Sequence, residues 1–532
     1  MALLLGEPLS LCNTTTTVEL ASTTKMEVIA HLVNSPVTWV LVTASTAYIF
    51  YRYVTSSFSY FSDQGIPGPK PLPIVGNMWG IWKANLPKHD QNIVNKFGRI
   101  FGYFDGSLPN LWITDADMIK SVFVKDFDHF VNRRNFTLRS KVVRKFLTLM
   151  RDQDWKDVRS SITPAFTTGK IKRMSVLIKE CADRLIVKFD EIAKSEGKID
   201  AKDQFSVFTM DVIARCVFGM KIENLGSKDD VFMRNARVVF NPPVNKTPLF
   251  LILFIFPNLL RIVGERMFIM DEFKYFFYLL EDLIKERNLT NQKYNDFVEA
   301  ATETISGYTK QVNGKTMPMW DKEEVDETVI AQSVLFLLAG FDTTASTLTN
   351  SIFQLARNPH VQEKLYDEIN SRIEEFGQVS HEMILNFPYI DQVINEVMRF
   401  YPALPRIERE CNKDITINGI NIKKGVVVTV PTYALHYDPE YYPDPFKFDP
   451  DRWSPENKAN LNSYAYMPFG MGPRNCVGMR FAMEEIKIVL CTILRQYRFF
   501  PVAETPEEMQ FEDGMLTVVQ PVFATVGIEI RN

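Results

Sequence analysis

Residues Phe469–Gly478 read FGMGPRNCVG. Three glycines, a proline and an arginine surround one thiol, Cys476. Glycine lets a backbone approach a neighbour that a side chain would hold off. Turn amides can hydrogen-bond a thiolate and tune its electron donation. A helix starting near Val477 points its N-terminus at the sulfur and favours the anion. Arg474 suits an anionic edge, and Phe469 can shield the sulfur from water. A Cys-x-Gly fragment alone is an ordinary turn, but the full spacing F-x-x-G-x-R-x-C-x-G is far narrower. It fits a thiolate that ligates a large planar cofactor, with Gly470, Gly472 and Gly478 clearing the approach.

The rest of the composition bounds the possibilities. A chain of 532 residues suggests several domains by length alone. No linker stands out beyond the first 80 residues, however, and nothing repeats at a fixed period. A net charge of −4 gives no reason to expect nucleic acid. Six cysteines in this length do not make a disulfide framework. No CxxC pair exists, so structural zinc and covalent c-type haem both lack their signature. Forty phenylalanines suit a large aromatic core or an apolar pocket.

Residues 28–51 are mostly apolar and carry no Asp, Glu, Lys or Arg. As a helix they reach about 36 Å at about 1.5 Å per residue, enough for a bilayer core of about 30 Å. Arg52, Lys70, Lys83 and Lys88 follow the segment, whereas Glu7, Glu19 and Glu27 with Lys25 precede it. This bias places the bulk of the chain in the cytosol. Residues 1–27 form a short luminal N-terminus on this reading, and the sequon at Asn13 is then open to glycosylation. No basic n-region opens the chain, so an uncleaved single-span anchor is expected over a signal peptide. Residues 52–77 contain GIPGPKPLPIVGN, whose prolines exclude a regular helix and suit a stiff hinge. Pro248–Pro257, PLFLILFIFP, is too short to span a bilayer and reads as core or as a surface element dipping into lipid.

Residues 78–532 read as one mixed domain, mainly α with small β-sheets. Strand patterns occur at Ile100–Phe104, Leu111–Thr114, Ile415–Ile422 and Gly425–Pro431. Helical patterns cover Lys170–Ile192, Glu323–Arg357, Val361–Phe376, Leu385–Phe400 and Val477–Gln496.

Three further motifs are ambiguous alone. Glu396 and Arg399 in NEVMR share one helical face, which by itself implies a surface ion pair. AGFDTT, Ala339–Thr344, puts a glycine and hydroxyls inside a helix. That can open a local groove, where a carboxylate and a hydroxyl could relay protons with water, or it can be a tolerated polar stripe. Trp155 and Arg159 sit four apart, and their indole N–H and guanidinium suit a carboxylate.

Together, in this order, these motifs resemble the cytochrome P450 superfamily of haem-thiolate monooxygenases. The resemblance runs from about Gly65 to the C-terminus. It implies that Cys476 is the proximal ligand of haem b (iron protoporphyrin IX), pushing electron density onto iron. It implies a buried structural triad of Glu396, Arg399 and Arg452, the last from Pro450-Asp451-Arg452-Trp453. There Asp and Trp replace the family's Glu and Phe. It implies propionate contacts from Trp155, Arg159, Arg409 and Arg133, with Phe469, Gly470 and Arg474 also against the cofactor. Asp342 is expected to carry protons from solvent, and Thr343 to hold the oxygen being protonated. Ala339, Phe341, Ala403 and Leu404 are expected to line the substrate pocket.

The stretches around Ile415–Tyr442 and Tyr466–Lys487 look closest to the third clan of drug- and steroid-oxidising enzymes. The expected reaction inserts one atom of O2 into a steroid, fatty acid or xenobiotic at the endoplasmic reticulum membrane. NADPH electrons would come through a separate flavoprotein reductase, with cytochrome b5 a further candidate partner. The chain has no nucleotide fingerprint of its own. A basic run (Arg139, Lys141, Arg144, Lys145, Lys156, Lys170, Lys172 and Arg173) is the expected docking patch or a solvated face. The alternatives are a haem-thiolate isomerase or dehydratase acting on endoperoxides, a haem sensor or carrier, and a haem-free membrane receptor. The Asp342–Thr343 pair argues against the first.

Overall fold

The structure is a computed structural model and describes residues 34–135, 140–222, 230–240, 255–256, 271–290, 292–312, 315–514, 518–522 and 524–531. The chain divides into two compact units, residues 1–58 and 59–532. In the first, Pro36–Val54 is a helix that starts with proline at its first turn, where the missing N–H costs nothing. Its apolar side chains are exposed, Val37, Trp39, Val40, Leu41, Ile49 and Phe50 among them. The expected anchor therefore overlaps a helix that runs on past Arg52. Residues 28–33, the luminal segment and Asn13 lie outside the described residues, as does Pro248–Pro257 apart from Ile255 and Phe256.

The second unit is mainly helical. Its longest described helix, α4 (Lys322–Arg357), begins with a capping box in which Asp321 and Glu324 satisfy each other's backbone N–H. It is the one described helix long and apolar enough to cross a membrane, yet that window is 72% buried in protein. It is a core helix. It packs along α3 (Ala201–Cys216) and touches α5 (Pro388–Phe400) and α6 (Met479–Gln496). The helices α1 (Asp152–Ile162) and α2 (Thr168–Ser195) complete the frame around the cysteine loop.

The main sheet runs β1 (Ile100–Asp105), β2 (Leu108–Ile113), β4 (Val427–Pro431), β3 (Arg406–Glu410). The β2–β4 pair is parallel and the others antiparallel. The prolines of Gly65–Asn77 keep that stretch out of helix as expected, but it lies along β1: Gly102 N–H donates to Pro67 O at 2.8 Å and Asn77 N–H to Phe104 O at 2.8 Å. Ile415–Ile417 and Ile420–Ile422 pair across the Asn418-Gly419 turn, both turn residues at positive φ.

The strand β3 was hidden in the sequence. RIERE alternates, so Ile407 and Arg409 point inward while Arg406, Glu408 and Glu410 face the other side. Charged residues on both faces masked the period.

Candidate active site

The loop before α6 is held by its own backbone. Gly470 N–H donates to Met467 O at 3.0 Å and Cys476 N–H to Phe469 O at 2.9 Å. Phe469 itself is half-buried against the main core. Gly470 and Gly472 adopt left-handed φ of 71° and 72°, where a Cβ is strained. At Gly472 a Cβ would also lie 1.9 Å from the carbonyl oxygen of Phe123. The expectation that all three glycines clear a cofactor is thus corrected. Gly472 makes room for the protein's own backbone. Gly478, at φ −86°, caps α6, and a Cβ there would meet Phe166 Cε1 at an ordinary contact distance of 4.0 Å. The helix starts at Met479 rather than Val477, and Gly478 N–H is the group that bonds the Cys476 sulfur.

Cys476 is exposed, whereas Cys181, Cys216, Cys411 and Cys491 are buried. Burial is nevertheless the leading influence on it and pushes its thiol up, opposed by Gly478 N–H, Arg159 and Arg133. A group both accessible and desolvated faces an internal space.

Around the loop stands a set of arginines with little to neutralise them. Arg409 is fully buried, donates Nη1 to Glu408 O at 2.9 Å, and stacks 4.7 Å from the Phe123 ring. Its Nε and Nη2 have no acceptor. Burial, then Arg133, then Arg474 hold it well below the usual guanidinium range. Arg133 is likewise lowered by burial, with Arg159 adding to this while Cys476 and Glu408 oppose it. The nearby carboxylates are taken. Arg134 holds Glu408 through Nε at 2.9 Å and Nη2 at 3.0 Å, and Arg151 holds Glu410 at 2.7 Å. A lone unsatisfied Nε is not diagnostic, since Arg287 and Arg372 also have one. Arg409 differs in having two free donors and two like charges, Arg133 and Arg474, acting on it. Haem carboxylates fit these donors.

Two expected contacts are used differently. Arg474 donates to the carbonyls of Val131 and Met150 at 2.6 Å each and stacks on Trp155 at 4.9 Å; burial brings it down to about 9. Arg159 grips Asn475 through its carbonyl and its side-chain oxygen, both at 2.9 Å. Both arginines therefore also position the loop.

The structural triad is assembled. Glu396 and Arg399 are both fully buried and paired at 2.8 and 2.9 Å. Arg452 approaches Glu396 at 3.4 Å. Arg399 also donates to His436 O and Pro445 O at 3.0 Å each. Trp453 Nε1 donates to Glu396 Oε2 at 2.9 Å, a bond that phenylalanine cannot make. Sequence reading missed His436. Burial, then Arg399, pushes it down to about 3. Its Nε2 accepts Met467 N–H at 3.1 Å, so Nδ1 carries the proton and faces Arg399 O at 3.2 Å. It links the triad to the start of the cysteine loop.

On α4 the helix stays continuous through Ala339–Thr344, so of the two alternatives for this motif the backbone shows a tolerated glycine and not a local opening. Thr343 donates to Ala339 O at 2.6 Å, the back-bond that lets a hydroxyl sit inside a helix without breaking it. Asp342 is buried and its Oδ2 accepts Gln520 Nε2 at 2.6 Å. Burial raises its carboxyl to about 7, with Lys202 and the Gln520 bond opposing. Asp342 and Thr343 thus hold different partners. Of the pocket residues, Ala339 is exposed, Ala403 and Leu404 are half-buried, and Phe341 lies in the packed core.

Half of the basic run is ion-paired, while Arg173 is exposed and donates to Asn295 Oδ1 at 3.3 Å. Lys145, Lys156, Lys170 and Lys172 sit against Glu327, Asp128, Glu303 and Glu382. Lys141 and Arg144 are exposed, and Arg139 lies outside the described residues.

The family model described as "Cytochrome P450" matches residues 66–525. Cytochrome P450 3A31 of Mesocricetus auratus is 36% identical over 500 residues, 92% of this chain and 96% of the relative. Cytochrome P450 3A11 of Mus musculus is 35% identical over 497 residues, again 92% and 96%. Cytochrome P450 3A28 of Bos taurus is 35% identical over 493 residues, 92% and 95%. The third-clan likeness agrees with these relatives. The chain belongs to the cytochrome P450 family of haem-containing monooxygenases.

Proposed function

We propose that this monooxygenase oxidises a lipophilic substrate (a steroid, fatty acid or xenobiotic) at the endoplasmic reticulum membrane, with NADPH electrons delivered by a separate flavoprotein reductase. Cytochrome b5 is a second candidate donor. The observation that carries the reading is the accessible Cys476 thiol, acted on by Arg159 and Arg133, together with Arg409, a buried guanidinium under the influence of Arg133 whose Nε and Nη2 have no acceptor.

In this reading Cys476 ligates the haem iron. Arg409 and Arg133, with Trp155, Arg159 and Arg474 around them, receive the propionates. When bound, haem supplies O2 binding and the one-electron steps. Gly478 N–H and the nearby guanidiniums stabilise the thiolate against the burial that opposes it. Asp342 sits close to its working pH, so it can both hold and release a proton. Thr343 can swing its hydroxyl from Ala339 O toward a reacting oxygen. Ala339, Ala403 and Leu404 border the substrate. The exposed apolar helix Pro36–Val54 serves as the membrane anchor, with the catalytic unit cytosolic. Pairing of Lys145, Lys156, Lys170 and Lys172 leaves Lys141, Arg144 and Arg173 as the basic run's described contribution to reductase docking.

Cys476→Ala tests the ligand assignment. Loss of the thiolate-type ferrous–CO spectrum is expected, and an unchanged spectrum would refute it.

A further inference from the structure

The C-terminal segment 518–522 has no place in the motifs of the sequence, yet it reaches the carboxyl of α4. Gln520 is buried, and its Nε2 lies 2.6 Å from Asp342 Oδ2, across 178 residues of chain. The backbone that carries it is pinned on several sides. Val519 N–H donates to Ala403 O at 2.7 Å, in the expected pocket wall. Glu512 N–H donates to Gln520 O at 3.0 Å and Val522 N–H to Gln510 O at 2.8 Å. An amide on so constrained a backbone is a fixed donor, not a wandering surface group.

Among the described residues, the charged group acting on Asp342 is Lys202, on the first turn of α3. Thr343 follows Asp342 by about 100° around the helix and is engaged with Ala339 O. Among the described residues, the Asp342 carboxyl accepts its hydrogen bond from Gln520.

We propose that Gln520 is a positioning residue for proton delivery, holding the Asp342 carboxyl in one orientation between the Lys202 side and the pocket. The claim rests on the proton-carrying role assigned to Asp342 above. An amide N–H stabilises the carboxylate over the acid, so Gln520 also keeps Asp342 lower than burial alone would place it. Without it, the carboxyl stays protonated to higher pH and loses its fixed direction.

The test uses the full-length haem-loaded enzyme and two readouts. Infrared difference titration follows the protonated-carboxyl stretch that Asp342→Asn abolishes. In the wild type its midpoint is expected near 7, and Gln520→Leu should move it upward by a unit or more. An unmoved midpoint overturns the proposal. The second readout is the ratio of peroxide released to product formed, from pH 6 to pH 9. Gln520→Leu should raise the ratio several-fold and shift its pH profile in the same direction as the infrared midpoint. The paired variant Asp342→Glu with Gln520→Asn exchanges one methylene between the partners, and should restore both readouts relative to Asp342→Glu alone. If Asp342→Asn changes the ratio but Gln520→Leu does not, Asp342 keeps its role and the positioning claim falls. If Asp342→Asn leaves the ratio unchanged, the proton-delivery reading itself falls and takes the proposal with it.

Discussion

Arg399 and Arg409 are both fully buried and lie ten residues apart in the chain, yet they are opposites. Burial pulls Arg399 down, but Glu396 outweighs it and leaves the guanidinium raised. Its remaining donors reach backbone carbonyls of His436, Pro445 and Lys447. Arg409 has burial and two other arginines against it, and two of its donors are free. One region is a finished scaffold. The other, on the function proposed above, is a socket for the haem carboxylates, and no described residue supplies an anion to Arg409 Nε or Nη2. A buried charge satisfied internally serves the fold, and one left unsatisfied at a cost serves a ligand.

Breaking the scaffold should have the largest effect. Glu396→Gln strands the charges of Arg399 and Arg452, and because its single oxygen replaces only one of the two carboxylate oxygens it deprives either Trp453 or Asp449 of an acceptor. A loss of about 3–5 kcal/mol is expected, read as a collapse of the unfolding midpoint whether or not haem is bound.

Asp342 comes next, with a sign set by pH. Its folded value near 7 lies above the ordinary 3.8, so the folded state binds the extra proton. The stability this brings is present below about pH 4 and declines as pH rises toward 7, by up to about 4 kcal/mol. Asp342→Asn should flatten the stability–pH curve over that window, and an unchanged slope would contradict the burial assigned to the carboxyl.

Trp453→Phe sharpens the scaffold side. It removes the indole donation to a buried carboxylate and part of the ring packed on Tyr466, and about 1.5–3 kcal/mol of stability should go with the hydrogen bond.

Arg409→Leu is the smallest effect on the fold and the most telling in direction. Removing an uncompensated charge should leave the haem-free protein as stable or up to about 2 kcal/mol more stable, while haem is lost faster. The two parts are read by unfolding of apoprotein and by haem transfer to an acceptor protein.

Much of this was legible in the sequence because it lies in short local motifs. The cysteine loop, Glu396 with Arg399, and the α4 motif each announce themselves over a few residues. The helices those motifs sit on have boundaries within a few residues of the pattern. What escaped detection depends on tertiary partners. The strand β3 was masked by its charges, although its alternation aims Arg409 inward. Trp453 looked like a tolerated replacement for phenylalanine, and only the position of Glu396 shows the bond it adds. His436 and Gln520 carry no motif; each matters through a partner 31 or more residues away. The glycines misled in part, because Gly472 answers to Phe123 and not to a ligand.

The most direct measurement compares haem with its dimethyl ester, which keeps the ring and iron but carries no propionate charge. Apoprotein and the Arg409→Leu variant are each reconstituted with both, and dissociation rates are measured. Wild type should hold haem at least tenfold longer than the ester, and the variant should hold the two nearly alike. Equal retention of haem and ester by the wild type would contradict the socket, and with it the place assigned to haem beside Cys476.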